Sequence, residues 1–218
     1  MTGGRPTAGP VVAGPPTVHL PDADATRAWG LALAALLRAG DLVVLTGDLG
    51  AGKTTLTQGI GAGLSVRGQV ASPTFIIARE HPPLPRPDGS LGPGLVHVDA
   101  YRLGSLDEVE ALDLDSALDE SVTVVEWGTG WVEPLADDRL ELTLRRPRGA
   151  VDPLDDEPAD AGERVLEVRA VGPRWAGVVL PGLGVRTEEP GIDGPGTDEP
   201  GTEEPGTAAP ESAHPVAG

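Results

Sequence analysis

Near the beginning of the chain, two helical patterns flank one short apolar run. Apolar side chains recur at helical spacing over Asp22–Arg38, where Trp29 lies on the apolar stripe and Gly40 ends the pattern. The run Leu42–Thr46 has the composition of a strand buried in a parallel sheet. After a glycine-rich turn, a second helix is predicted over Lys53–Leu64.

The remainder of the central region alternates between strand patterns and one more helix. The acidic stretch Ser105–Glu120 begins with a capping box, because Glu108 follows Ser105 by three residues. Further strands are predicted at Thr74–Arg79, Leu95–Asp99, Val122–Glu126, Leu140–Leu144 and Val165–Val171. Strands that alternate with helices predict an α/β fold, a three-layer domain around a largely parallel sheet.

Proline, glycine and acidic residues mark the boundaries of that domain. We expect a flexible lead at 1–18, the domain at 19–181 with loop insertions at 82–94 and 148–163, and a disordered acidic tail at 182–218. The tail repeats the unit TEEPG with small changes, which gives it nothing apolar to bury. Its predicted role is that of a solubilising appendage, with a specific binding motif as the alternative.

The charge of the chain narrows the classes of partner. Its 218 residues include 34 acidic and 16 basic side chains, for a formal net charge of −18. Such a chain is a poor candidate for coating DNA or RNA, so any role in a nucleic-acid pathway is expected to run through a protein partner. With no cysteine, it forms no disulfide and no thiolate metal site. Neither a signal peptide nor a membrane span is predicted, so we expect a soluble cytoplasmic protein.

The strongest local pattern is the segment GDLGAGKT, which matches G-x-x-x-x-G-K-[ST] between the apolar run and the second helix. Its residues are Gly47, Asp48, Leu49, Gly50, Ala51, Gly52, Lys53 and Thr54, and Thr55 follows them. Glycines let the backbone wrap so that amide groups face phosphate oxygens, and the next helix adds the positive end of its dipole. The lysine would reach the β- and γ-phosphates, and the threonine hydroxyl would ligate magnesium.

One fact of composition separates this segment from an incidental glycine-rich turn. Lys53 is the one lysine in the chain, although the chain has 16 basic residues. Arginine supplies all the other basic charge, yet this position carries the compact ammonium group that phosphate loops use. The sequence therefore predicts a nucleoside-triphosphate site.

A site of this kind also needs an acidic side chain at a strand end to hold or orient the metal ion. Two acids qualify, since Glu126 ends the run Val122–Glu126 and Asp99 ends Leu95–Asp99. In a parallel sheet both carboxylates would emerge at the edge that carries the phosphate loop. Both are candidates for a metal or water role, against the simpler interpretation that each begins a loop.

Four segments, taken in order, resemble one family. They are GDLGAGKTT at Gly47–Thr55, SPTF at Ser72–Phe75, HVDAYR at His97–Arg102 and VVEW at Val124–Trp127. Over His19–Val171 the chain resembles the TsaE (YjeE) family, small bacterial ATPases of threonylcarbamoyladenosine tRNA modification. The resemblance implies a P-loop NTPase-like fold with ATP and Mg²⁺ as cofactors.

The resemblance also implies a catalytic set. Lys53, Asp99 and Glu126 would form it, with Glu126 and Thr54 as the protein ligands to magnesium. Asp99 would lie near the γ-phosphate and order the attacking water.

Other matches to the family concern the base, the nucleotide state and the partner. Thr26 matches a position near the nucleotide base, and Arg164 matches a nucleotide-side arginine. For three of the residues listed next, a purely structural role is the alternative. His97 could be a strand histidine, Arg102 a partner of the acidic helix, and Trp127 a core aromatic. The switch-like or partner-facing residues are Ser72, Pro73, Thr74, Phe75, His97, Tyr101, Arg102 and Trp127.

The family role implied is an energy-coupling ATPase, weak alone, that docks on a TsaB–TsaD-type transferase heterodimer. There it would reset the transferase between rounds of threonylcarbamoyl transfer to tRNA adenosine, touching tRNA only indirectly. Two other functions fit a P-loop fold: a small-molecule kinase, and a nucleotide-sensing binding module without turnover. A kinase should carry an arginine-rich lid, whereas Arg145, Arg146 and Arg148 follow a strand and meet an acidic loop.

Overall fold

The computed structural model describes residues 14–72, 78–102, 119–146 and 162–183. Some of the predicted elements lie outside these residues. They include nearly all of the acidic helix predicted at 105–120, most of the loop predicted at 148–163, the first part of the strand predicted at 74–79, and most of both predicted tails.

The described strands form one mixed sheet of seven, in the order β1-β7-β6-β2-β5-β4-β3. The four central strands, β6, β2, β5 and β4, run parallel, and antiparallel strands flank them on both sides. The predicted α/β fold around a largely parallel sheet is therefore confirmed. The strands are β1 (Thr17–Leu20), β2 (Leu42–Thr46), β3 (Ala78–His81), β4 (Gly94–Asp99), β5 (Ser121–Glu126), β6 (Arg139–Arg145) and β7 (Arg164–Val171).

Strand β1 lies where no strand was predicted. It is four residues long, Leu20 is its one buried residue, and among the described strands it pairs with β7 alone, at the edge of the sheet. A short edge strand of this kind leaves almost no apolar alternation in the sequence.

Helices α1 (Ala23–Ala34) and α2 (Lys53–Leu64) cover one face of the sheet. The side chain of Asp22 caps α1 by accepting a hydrogen bond from the amide of Ala25 at 2.7 Å. The pattern predicted a helix as far as residue 38, but α1 ends earlier. Beyond it, the carbonyl of Leu36 accepts a hydrogen bond from the Arg174 guanidinium at 2.7 Å, in place of a helical amide.

The two helices touch backbone to backbone through glycines. A Cβ atom on Gly59 would lie 2.1 Å from the carbonyl oxygen of Arg27, and one on Gly30 would lie 2.4 Å from that of Leu56. No larger side chain fits at either position without moving a helix. This close packing brings the start of α1 against the start of α2.

The remaining described segments pack against the sheet and its helices. Residues 82–93 form a loop tied down by isolated bridges between Val66 and Pro83 and between Pro85 and Leu91. The segment that follows β7 is attached to α1, because the indole of Trp29 donates a hydrogen bond to the carbonyl of Pro181 at 2.8 Å. No helix among the described residues is both long enough and apolar enough to cross a membrane. The second face of the sheet carries a smaller core of Leu42, Val44, Val96, Val98, Ala100, Val125 and Val132.

The parallel strands bring their carboxyl ends to one edge. In the register of β4 and β5, Asp99 lies opposite Glu126, and in that of β2 and β5, Leu45 lies opposite Glu126. The glycine-rich loop leaves β2 just beyond Leu45. Both predicted acids and the predicted phosphate loop therefore share this edge.

Candidate functional site

The loop between β2 and α2 depends on glycine at two positions. Gly47 has a φ of 147°, and a Cβ atom there would lie 2.3 Å from the carbonyl oxygen of Leu144 on β6. Gly52, the residue that caps α2, has a φ of 104°, in the left-handed region that other residues rarely adopt. The turn is therefore specified by its glycines, and it delivers the chain into a helix N-terminus.

Lys53 follows this turn and is buried, with 5% of its surface exposed. Its Nζ donates to the carbonyl oxygens of Gly47 at 2.7 Å and Asp48 at 3.1 Å, and it lies 3.8 Å from the centroid of the Trp127 ring. Burial lowers the pKa of Lys53, and the carboxylates of Glu126, Asp99 and Asp48 oppose that shift. The ammonium group is thus held by backbone carbonyls and an aromatic face.

Thr54 lies against Glu126. Its hydroxyl donates to Oε1 of Glu126 at 2.9 Å and approaches Oε2 at 3.3 Å, which joins α2 to the end of β5. Glu126 is 3% exposed, and Nε2 of His97 on β4 lies 2.8 Å from its Oε1. The predicted pair of magnesium ligands is in direct contact.

Asp99 has a different environment, although it lies opposite Glu126 in the sheet. Its Oδ1 accepts from the amide of Tyr101 at 3.1 Å, and its Oδ2 accepts from the hydroxyl of Ser72 at 3.3 Å. These partners belong to the two segments that were predicted to switch or to meet a partner. Asp99 is also more exposed than Glu126.

Two aromatic rings border the cleft. Trp127 adopts a φ of 64°, unusual for a residue with a side chain, and its amide donates to the carbonyl of Leu45 at 3.0 Å. Its ring lies 5.2 Å from that of Tyr101, tilted by 59°. Tyr101 is 70% exposed, so the pair of tilted rings extends from solvent to the buried Lys53.

Of these side chains, Lys53, Thr54, Asp99, Glu126 and Trp127 line one cleft of about 280 Å³, whereas His97 and Tyr101 lie behind or beside its lining. Thr26 and Arg164 do not line it; both are buried beside Gly52, where a Cβ atom would lie 3.8 Å and 3.6 Å from them. Arg164 donates to the carbonyl of Gly162 at 2.5 Å. The lining residues are Leu49, Gly50, Gly52, Lys53, Thr54, Thr55, Ser72, Asp99, Glu126 and Trp127.

Some predicted residues lie outside the described part of the chain, and one pair of residues near the cleft was not singled out from the sequence. Pro73, Thr74 and Phe75 lie outside the described residues, and Arg102 is described only as the end of a short 3-10 turn. The hydroxyls of Thr46 and Thr129 are hydrogen-bonded at 2.5 Å and tie the turn after β5 to the end of β2. In the sequence, a threonine two positions after the VVEW segment was the one indication of this contact.

The donor set of the cleft suits a metal–nucleotide pair. A hydroxyl and a carboxylate in contact are the hard oxygen ligands that Mg²⁺ prefers, and Mg²⁺ usually takes one or two of them from the protein. A glycine loop ahead of a helix N-terminus suits phosphate, and Lys53 lies within that loop. The residues present therefore fit both groups.

A buried parallel strand, a glycine loop with lysine and threonine, and a helix define the P-loop class of α/β protein. A sequence profile described as "Threonylcarbamoyl adenosine biosynthesis protein TsaE" matches residues 20–150. The chain belongs to the TsaE family, and this membership implies nucleotide binding.

Individual relatives agree with the profile. The tRNA threonylcarbamoyladenosine biosynthesis protein TsaE of Streptomyces coelicolor is 58% identical over 151 residues, which cover 69% of this chain and 93% of that protein. The protein of the same name from Bacillus subtilis is 38% identical over 151 residues, 69% of this chain and 82% of the relative. The crystal structure of Bacillus subtilis YdiB matches with a TM-score of 0.50 and 30% identity, covering 72% of this chain and 86% of that one.

Proposed function

We propose that this chain binds ATP with Mg²⁺ in the cleft, hydrolyses it slowly, and supports threonylcarbamoyl transfer to tRNA adenosine. It does so by docking on a TsaB–TsaD-type transferase heterodimer. The observation that carries the proposal is the contact of Thr54 on the P-loop helix with the buried Glu126, beside Lys53. Family membership supplies the pathway.

Each side chain then has one task. Lys53 leaves the carbonyls of its own loop for the phosphate oxygens, whose negative charge offsets the burial that lowers its pKa. Thr54 and Glu126 hold the magnesium ion, which supplies charge neutralisation at the phosphates when bound. The backbone amides at the start of α2 bind phosphate oxygens.

We assign the two acids different roles because their partners differ. Glu126 touches the P-loop threonine, so it takes the metal. Asp99 contacts Ser72 and the amide of Tyr101 instead, so it takes the attacking water. A carboxylate that also binds two candidate switch segments is suited to report the state of the γ-phosphate to a partner.

The proposal is tested by measuring ATP hydrolysis with and without purified TsaB and TsaD, and then the modified-nucleoside content of tRNA. We expect a slow basal rate that rises with both partners, and modification that requires this chain. In the same assay Lys53→Ala should lose the stimulated rate, and Arg38→Ala is its matched control, since that arginine is largely exposed and lies outside the cleft.

Other outcomes would replace the proposal. A rate of ATP hydrolysis that is the same with and without TsaB and TsaD would make the small-molecule kinase a candidate function again. ATP binding that drives partner exchange without phosphate release would favour the nucleotide-sensing module.

A further inference from the structure

We propose that His97 is a positioning residue that orients the carboxylate of Glu126 for a divalent cation. The inference rests on the proposed function of the cleft. The imidazole is fully buried on β4, and its Nε2 lies 2.8 Å from Oε1 of Glu126 on the neighbouring strand β5.

Two donors converge on one oxygen of Glu126. His97 approaches Oε1 at 2.8 Å and the Thr54 hydroxyl donates to it at 2.9 Å, whereas the contact of Thr54 with Oε2 is 3.3 Å. Among the described residues, Oε2 is therefore the less engaged oxygen. With Oε1 held, the carboxylate keeps one orientation, and Oε2 is the atom left for a cation in the cleft.

The other ring nitrogen indicates the form of the imidazole. Nδ1 of His97 is buried and has no hydrogen-bond partner within the described part of the chain. A proton on Nδ1 would be an unsatisfied buried donor, so the geometry favours the tautomer that carries the ring proton on Nε2. From there it is donated to Oε1 of Glu126, which fixes the orientation of the carboxylate.

A histidine with a purely structural role would predict something different. If His97 only filled space between β4 and the neighbouring layers, polar substitutes of similar size would act alike. If it positions Glu126, only a substitute that reaches Oε1 with a donor will replace it. The amide nitrogen of glutamine extends about as far as Nε2 of histidine, and that of asparagine only about as far as Nδ1.

His97→Gln and His97→Asn are thus a matched pair. The binding of a non-hydrolysable ATP analogue is measured by calorimetry on the full chain, first in EDTA and then over a MgCl₂ titration. Groups that orient a metal ligand typically contribute about 10–100-fold to metal affinity, so His97→Asn should weaken the apparent Mg²⁺ affinity by about tenfold or more. His97→Gln should lose less than about threefold, and both should bind the metal-free analogue like the wild type.

The outcomes separate this inference from the proposed function. If the wild-type chain shows no magnesium-dependent binding, both fall. If it does, but His97→Asn keeps the wild-type magnesium dependence or His97→Gln loses as much as His97→Asn, the positioning role alone is wrong. A measurement on the unaltered chain guards against variants that do not fold: ¹⁵N NMR should show the proton of His97 on Nε2, and a proton on Nδ1 would overturn the inference.

Discussion

Two carboxylates, one near each end of the parallel strands, are equally buried and bonded in different ways. Asp41 just before β2 and Glu126 at the end of β5 are each 3% exposed. The guanidinium of Arg174 donates to both oxygens of Asp41, at 3.0 Å and 2.9 Å, and the amide of Arg38 donates to Oδ2 at 2.9 Å. The charge of Asp41 is neutralised within the fold.

Glu126 has no comparable partner among the described residues. The groups that contact it are a hydroxyl and an imidazole, those of Thr54 and His97. The nearby cation of Lys53 donates to the carbonyls of Gly47 and Asp48 instead. A buried anion and a buried cation are thus close together without being bonded to each other.

The bonding partners of a buried charge indicate whether that charge serves the stability of the fold or the binding of a ligand. Breaking a bidentate pair leaves an uncompensated charge in the unligated protein, so its cost falls on folding. Glu126 and Lys53 are held by a hydroxyl, an imidazole or backbone carbonyls, and they can exchange these partners for a ligand, so removing them should weaken binding. Variants at Arg174 should therefore lower stability and leave binding intact, and variants at Lys53 should do the reverse.

The largest expected effect is on nucleotide binding by Lys53→Ala. Loss of charge-assisted hydrogen bonds to two phosphates should weaken ATP binding by about 1,000-fold, measured by calorimetry. The thermal midpoint should not fall, because the variant also removes a buried cation whose pKa burial lowers. Arg38→Ala, at an exposed arginine, should bind ATP like the wild type. Undiminished binding by Lys53→Ala would refute the P-loop assignment.

At the opposite end, Arg174→Ala should destabilise the fold and leave binding intact. Removing one partner of a buried pair should cost about 3 kcal/mol of unfolding free energy, measured by urea denaturation. Arg145→Ala removes a largely exposed partner of Glu167 and should cost less than about 0.5 kcal/mol. Similar losses in the two variants would show that the Arg174–Asp41 pair is not a buried support of the fold.

The contrast between the two ends also shows what the sequence could predict. The strand, glycine loop and helix around Lys53 were predictable because their geometry is set by residues adjacent in the chain. The partner of Arg174 was not, since Asp41 lies 133 positions away and the contact depends on how the chain after β7 packs on α1. The guanidinium of Arg174 also donates to the carbonyl of Leu36, just beyond the point where α1 ends and within the range that the apolar pattern predicted as helix.

Within the site, the residue pattern alone left both acids as candidates, and their separate roles came only from the family resemblance. Asp99 and Glu126 both end apolar strands, and only the register of the sheet and the position of α2 bring one of them to Thr54. That contact spans 72 positions of the chain. Likewise, the sequence did not indicate that Nδ1 of His97 is buried without a hydrogen-bond partner among the described residues.

Exchanging the acids for their amides sharpens the assignment at the site. Glu126→Gln keeps the shape but removes the charge that would hold magnesium, so magnesium-dependent ATP turnover in the presence of TsaB and TsaD should fall by about 100-fold. Nucleotide binding in EDTA should persist. Asp99→Asn is the matched variant, and it should reduce turnover while leaving the apparent Mg²⁺ affinity unchanged. If Asp99→Asn lost the magnesium dependence and Glu126→Gln kept it, the metal role would move to Asp99.

The smallest expected effect is a dependence of stability on alkaline pH that belongs to Lys53 alone. Because burial lowers its pKa in the fold, the unfolded chain binds this proton more tightly than the folded chain does. Stability should therefore rise with pH between the lowered pKa and the ordinary value of 10.5, and the penalty for burying the cation should be present in full below that window. Lys53→Met, of similar length and without charge, should lack this rise when urea denaturation is compared at several alkaline pH values.

Arg174→Ala retains Lys53 and should keep the rise despite its lower stability. Parallel pH profiles for the wild type and Lys53→Met would show that backbone carbonyls and the Trp127 ring already compensate the buried ammonium group, so that it is not held ready for phosphate.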